Sequence, residues 1–178
     1  SIYYTQGKCA EAEPYYNMVL ALHEQLYGPD SIETAQAHLK LSDLYKFEKR
    51  FEKALEHAKK ALEITTGKFG ENNEHSAVML SNLAALYETE SRLLDAALLY
   101  EKALAVRESL YGEESLQAAA SMHNLGCLYV KQNSFDRALA MFNTSLAIRK
   151  RELSPEHLLT AASQDNIGML YYRLKKYD

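Results

Sequence analysis

The sequence has no apolar run approaching the roughly 18 residues that a bilayer crossing requires. No membrane span is therefore expected in these 178 residues. It also lacks a basic excess: the net charge is −4, with a pI near 5.9. Nucleic-acid binders usually carry a strongly basic surface, so that class of partner is set aside. Cysteine is scarce. Cys9 and Cys127 lie far apart and form no C-x-x-C pair. Reduced thiols in an intracellular, cytoplasmic protein are the expected state. The six histidines form no H-E-x-x-H pattern, and none joins a cysteine at zinc spacing, so no metal site is expected. There is no G-x-G-x-x-G and no phosphate loop; Gly67-Lys68-Phe69-Gly70 reads only as the end of a helix. No base is arranged to activate Cys127, and no glutamate is singled out as a paired acid. No cofactor and no enzymatic activity are expected.

What the sequence does have is a period. Lys40-Leu41-Ser42-Asp43-Leu44-Tyr45, Asn82-Leu83-Ala84-Ala85-Leu86-Tyr87, Asn124-Leu125-Gly126-Cys127-Leu128-Tyr129 and Asn166-Ile167-Gly168-Met169-Leu170-Tyr171 are copies of one box. The tyrosines recur every 42 residues, and one step back lands on Tyr3. A fixed period of this length predicts stacked repeats, each burying its apolar face on its neighbours. Apolar content of 47% and charged content of 25% fit a folded chain.

Each period predicts two helices, A carrying the box and B following it. In the fourth copy, helix A is expected over about 116–132. Its buried stripe includes Leu125, Leu128 and Tyr129 at i, i+3 and i+4. Helix B is expected over 135–153, with Ala138, Phe142, Ser145, Leu146 and Ile148 facing the core. Connections of two to four residues make the pair an antiparallel hairpin. In the first copy, Gly7-Lys8 forms the turn and helix B spans about 9–27, with Pro14 early enough to be tolerated. Gly28, Gly70 and Gly112 stop successive B helices at the same spacing. Asp30 with Glu33 resembles a capping box. Ser154-Pro155 replaces the glycine stop in the fourth copy, so a different junction is expected there. The repeats fall at about 1–28, 31–70, 72–112, 115–154 and 156–178. The first and last are incomplete, which suggests a piece of a longer protein with no signal peptide in view.

Thirteen tyrosines could suggest a base-stacking surface. Most have a core reading instead. Tyr3, Tyr45, Tyr87, Tyr129 and Tyr171 are the box column; Tyr27 and Tyr111 share a column with Phe69 and Leu153; Tyr16 and Tyr100 align with Phe142. Helix A carries a second stripe, four, three and four residues apart, on a face away from the Leu/Tyr core. Its columns are Gln36, Lys40, Asp43 and Phe47; Val78, Asn82, Ala85 and Thr89; Ala120, Asn124, Cys127 and Lys131; and Ala162, Asn166, Met169 and Arg173.

Leu125-Gly126…Tyr129 followed by Ala138…Phe142 resembles the tetratricopeptide repeat, whose motif reads L-G-x₂-Y and then A-x₃-F. Ala96…Tyr100 and Ala12…Tyr16 are close variants. The motif's tryptophan column holds His38, Leu80, Met122 and Gln164; the chain has no tryptophan. The long period, with Leu26-Tyr27-Gly28-Pro29-Asp30, resembles the repeats of kinesin light chains. The His-Pro of that subclass is replaced by Asp30-Ser31, Asn72-Asn73 and Glu114-Ser115. The resemblance implies an all-α, right-handed superhelical solenoid of antiparallel helix pairs, with helix A lining a concave groove.

An asparagine amide offers donor and acceptor together, so Asn82, Asn124 and Asn166 suit the backbone of a bound peptide. The resemblance implies that role; an amide ladder between neighbouring helices is the alternative. Lys131 and Arg173, with Lys175 and Lys176 in the next turn, would favour an acidic peptide, or would simply complement the helix dipole. Lys40, His123 beside Asn124, and Cys127 complete the candidate site. Arg149-Lys150-Arg151 reads as dipole-favouring cations on the outer layer. The expected function is a non-enzymatic scaffold or adaptor holding a peptide segment of a partner protein. Two alternatives remain. One is a structural module that self-associates through its incomplete end repeats. The other is a regulatory sensor arm of a larger protein.

Overall fold

The computed structural model describes residues 9–174, giving only the backbone at Cys9 and Ala10. The readings at Tyr3, Gly7, Lys8, Lys175 and Lys176, and the side chain of Cys9, lie outside the described residues. Among the described residues there are eight helices and no strand. They are α1 Cys9–Tyr27, α2 Ile32–Phe47, α3 Phe51–Phe69, α4 Glu74–Thr89, α5 Leu93–Tyr111, α6 Leu116–Lys131, α7 Phe135–Glu152 and α8 Leu158–Leu174. The fold is all-α and repetitive, with A helices at α2, α4, α6 and α8. Two compact units divide the chain at Ser91 and Arg92. Within the first, α1 packs on α2, α2 on α3 and α3 on α4; within the second, α5 packs on α6, α6 on α7 and α7 on α8.

Local chemistry sets the helix limits. Ser31, Asn73 and Ser115 are extended N-caps, and their side chains accept from the N–H groups of Thr34, Ser76 and Ala118. The cap of α2 is thus Ser31, not the Asp30–Glu33 box read from the sequence; Ser31 has the extended backbone that puts its hydroxyl 3.1 Å from Thr34 N. Gly28, Gly70 and Gly112 end the B helices with φ of 91°, 79° and 90°. Thr34 and Ser76 reach back to the carbonyls of Gly28 and Gly70 at 2.8 and 3.0 Å. At the glycine-less fourth junction Thr160 makes the same bond to Ser154 at 2.8 Å. There α8 starts only at Leu158, where the His157 ring accepts from Leu159 N. Each described A-to-B turn places one residue in the left-handed region: Lys49 at φ 60°, Ser91 at 60° and Asn133 at 57°.

The box stripe is the core. Leu41, Leu44, Tyr45, Leu83, Leu86, Tyr87, Leu125, Leu128 and Tyr129 are all buried. The tyrosine hydroxyls explain why the column is not simply aliphatic. Tyr45 donates to Glu13 of α1 at 2.8 Å, and Tyr129 donates to Glu101 of α5 at 2.9 Å. Gly126 makes room for the aromatic of the following helix: a Cβ there would lie 2.5 Å from the Phe142 ring. Of the predicted α7 face, Ala138, Phe142, Ser145 and Ile148 are buried while Leu146 is half-exposed. Tyr27, Phe69 and Tyr111 do not belong to the core, being 56%, 42% and 45% exposed. They stand at the last position of a B helix, where the chain turns away and leaves them largely open to solvent. Tyr27 instead sets its ring on His23, and Phe69 on His75.

Candidate functional site

None of the sixteen positions of the second helix-A stripe is buried, whereas the Leu/Tyr stripe of α2, α4 and α6 is; on α8 Leu170 is buried but Tyr171, expected in the core column, is exposed. In the first unit, Gln36, Lys40, Asp43 and Phe47 on α2 are all exposed, as are Val78, Asn82 and Thr89 on α4. Asp43 is open to solvent, yet the protein mass around it raises its carboxyl above the ordinary range, against the lowering pull of Lys40 and Lys46. Lys40 therefore shares its field with a carboxylate on the same helix face.

In the second unit the stripe closes into a recess. A cavity of about 200 Å³ is lined by Cys127, Val130 and Lys131 of α6, Phe142 of α7, and Asn166, Met169, Leu170 and Arg173 of α8. Five of these residues are stripe positions. Phe142, Leu170, Val130 and Met169 supply apolar walls, and two cationic side chains stand in the same lining. Asn124 is half-exposed one helical turn before Cys127, outside that lining; Asn82 belongs to the other unit.

His123 turns inward from the stripe. Its ring lies 5.7 Å from that of Phe142, and its Nδ1 is 3.4 Å from Arg149 Nη1. Asn166 Nδ2 is 3.5 Å from its Nε2. Burial, then the Arg149 charge, lowers the imidazole pKa below its ordinary value, so the ring is neutral at pH 7. A guanidinium can only donate, so Nδ1 accepts and Nε2 carries the proton. Asn166 then meets it best with its amide oxygen, the flipped assignment of its side chain. One member of the asparagine column thus has a partner within the fold, as the ladder alternative anticipates, although that partner is His123 and not Asn124.

Arg149 overturns its sequence reading. It is not an outer-layer cation but only 4% exposed, donating to Ser163 Oγ at 2.7 Å and to the Leu159 carbonyl at 3.0 Å. Arg107 does the same one period earlier, meeting Ser121 Oγ at 2.8 Å. The signal was present as two registers, Arg107/Arg149 and Ser121/Ser163, each 42 residues apart. A long aliphatic stem lets arginine lie across an apolar interface with its head on a hydroxyl, which charge alone does not reveal.

The sequence matches the tetratricopeptide repeat family over residues 1–67, 75–151 and 135–178. No curated protein sequence matches the chain. Among solved structures, it is similar to BtubC (BKLC) from P. vanneervenii, with a TM-score of 0.82 and 28% identity over 97% of this chain and 69% of that one. A putative kinesin light chain with nearly identical TPR-like repeats from Podosopora anserina superposes with a TM-score of 0.80 at 20% identity, over 98% of this chain and 82% of that one. The apo form of RapI superposes with a TM-score of 0.79 at 17% identity, over 99% of this chain and 61% of that one. The last two likenesses speak to the fold alone. With its box, its helix order and the family match running along most of its length, the chain belongs to the tetratricopeptide repeat family.

Proposed function

We propose that this chain is a non-enzymatic interaction scaffold whose helix-A stripe holds an extended peptide segment of another protein. The observation that carries the reading is the cavity joining Cys127, Lys131, Asn166, Met169 and Arg173. An apolar recess with convergent polar groups is the usual form of a binding site. In the second unit Asn124 and Asn166 would hold the peptide backbone and Lys131 and Arg173 would select acidic side chains; in the first, Asn82 would offer the same amide to a peptide backbone. In the first unit, Asp43 beside Lys40 makes the stripe less selective for acidic residues. The test is a peptide-display screen against the purified chain, with an Asn82→Ala, Asn124→Ala, Asn166→Ala variant alongside, at two salt concentrations. Enriched acidic sequences should be lost or weakened in the variant, with helicity intact, and weakened again at high salt. Unchanged affinity in the variant would remove the asparagines from the site.

A self-associating structural module is the second reading. Its support is the apolar surface that α1 leaves open: Met18, Leu22 and Leu26 are 67%, 49% and 61% exposed. Light scattering across a concentration series, with Met18→Glu and Leu26→Glu, separates the two readings. A mass that rises with concentration and returns to monomer in that variant would favour self-association.

A further inference from the structure

His38 of α2 and His57 of α3 occupy a place that the third and fourth repeats fill with apolar residues. One period on, the same two positions are Leu80 and Leu99; two periods on, they are Met122 and Met141. Met141 packs against a cluster that contains buried Met122. In the second repeat the pair is two imidazoles. Their Nδ1 atoms are 2.8 Å apart, and the ring centroids are 5.1 Å apart. That combination sets the facing nitrogens nearly on the line of centres, the geometry of an N–H···N hydrogen bond. His38 is buried and His57 half-buried, with its other face stacked on Tyr45 at 5.4 Å. A polar pair placed where the next two repeats use side chains with nothing to titrate conflicts with the local pattern, and such conflicts mark function.

We propose that His38 and His57 form a proton-operated joint between α2 and α3, closed when at least one facing nitrogen lacks a proton and opened when both carry one. A neutral imidazole has one donor and one acceptor, so the neutral pair shares a single proton across the contact. A first added proton is tolerated. Placed on His57, it leaves Nδ1–H of that ring donating to His38. A second must enter on His38 Nδ1, which is already accepting, and two N–H groups then face each other within the contact. The surroundings fix the order. Burial, then the His57 charge and then Lys60 push His38 down to about 4, with Glu56 opposing. His57 is lowered by burial first, but Glu56 and Glu13 pull it back up, while Lys53 lowers it. These groups face the pair from α3 and from α1; α4, which also packs on α3, carries Glu74, His75 and Glu88, none of them among the charges that shift either ring.

The sign follows from linkage. Both rings bind protons less readily when folded than the ordinary histidine value of 6.5, so the unfolded chain takes up more protons on acidification. The stability that the pair contributes is present above pH 6.5 and is lost as pH falls toward about 4. Because α2 also carries Gln36, Lys40 and Asp43, opening the joint disturbs one segment of the exposed stripe.

The experiment replaces the pair with the solution the fourth repeat already uses. Thermal unfolding of the full chain is followed from pH 7 to pH 4 for the natural sequence and for His38→Met with His57→Met. All other titrating groups are common to both, so the difference isolates the joint. The natural chain should lose roughly 5 °C more in Tm over that range than the variant. Parallel curves would overturn the proposal. Should the methionine variant fold poorly, His38→Leu with His57→Leu copies the third repeat instead. Independently, imidazole nitrogen NMR on the natural chain should show one Nδ1-protonated ring at pH 7 and a His38 that titrates below pH 5. A His38 titrating near 6.5 would sink the idea without any variant.

Discussion

Two glycines in the same box column make opposite demands. Gly126 sits against Phe142, which is 1% exposed and has no room to retreat, so Gly126→Ala overpacks the α6–α7 contact. That costs about 1–3 kcal/mol and outweighs the roughly 1 kcal/mol that alanine gains within a helix. Gly168, one period on, has nothing within 4 Å of where a Cβ would stand. Gly168→Ala should therefore stabilise the chain by about 0.5–1 kcal/mol. Urea unfolding of the two variants checks the pair; equal effects of one sign would mean that the aromatic contact is not made. The sequence displays both glycines as the same motif letter. Only the position of Phe142 tells them apart. The Leu/Tyr core was legible because its 3.6-residue period admits one face. The arginines were not, since burial of a charged head depends on a hydroxyl fourteen residues away. The exposed stripe was also legible, by spacing alone; that Cys127, Lys131, Asn166 and Arg173 share one recess was not, because it depends on how α6 and α8 approach across α7.

Helix boundaries came close to their sequence limits because stops and starts are chemical. The B helix α1 was expected over 9–27 and is found at Cys9–Tyr27, closed by Gly28. Caps are harder to read when neighbours compete. Asp30 and Ser31 both suit the role, and the backbone selects Ser31. At α4 the cap is unambiguous: Asn73 accepts from Ser76 N at 2.9 Å while its own amide donates to the Gly70 carbonyl. Asn73→Ala removes both bonds and should cost about 1 kcal/mol. Asn73→Ser should recover most of it, since serine fills that position before α2 and α6. The A-to-B turns carry a complementary prediction. Lys49 adopts φ 60° with no help from its side-chain type, whereas asparagine at 133 tolerates that region. Lys49→Gly should raise stability by about 0.5–1 kcal/mol, and Asn133→Gly should change it little. Chemical denaturation of both variants is the check; a loss on Lys49→Gly would mean that the side chain contributes more than the strained backbone costs.

Among the described residues, firm packing joins elements adjacent in sequence within each unit. Stability in such an array is close to a sum over nearest neighbours. A lesion should then stay local. In Gly126→Ala, amide exchange should speed up across α6 and α7 and remain almost unchanged in α2 and α3. Uniform acceleration in all helices would mean that the chain unfolds as one cooperative body.

The buried arginines give this array something that a run of equivalent modules would lack: an order. Where the donor at the end of a B helix is Arg107 or Arg149, the next A helix offers Ser121 or Ser163. Where it is Thr65, which satisfies itself on the Ala61 carbonyl, the next A helix offers Met79 at the matching place. Shuffle the modules, and a guanidinium would meet a thioether with no oxygen to receive it. Each seam works as a lock cut for one key, so during recombination or engineered duplication the segments that can be exchanged are those cut between matching seams, carrying arginine and serine together.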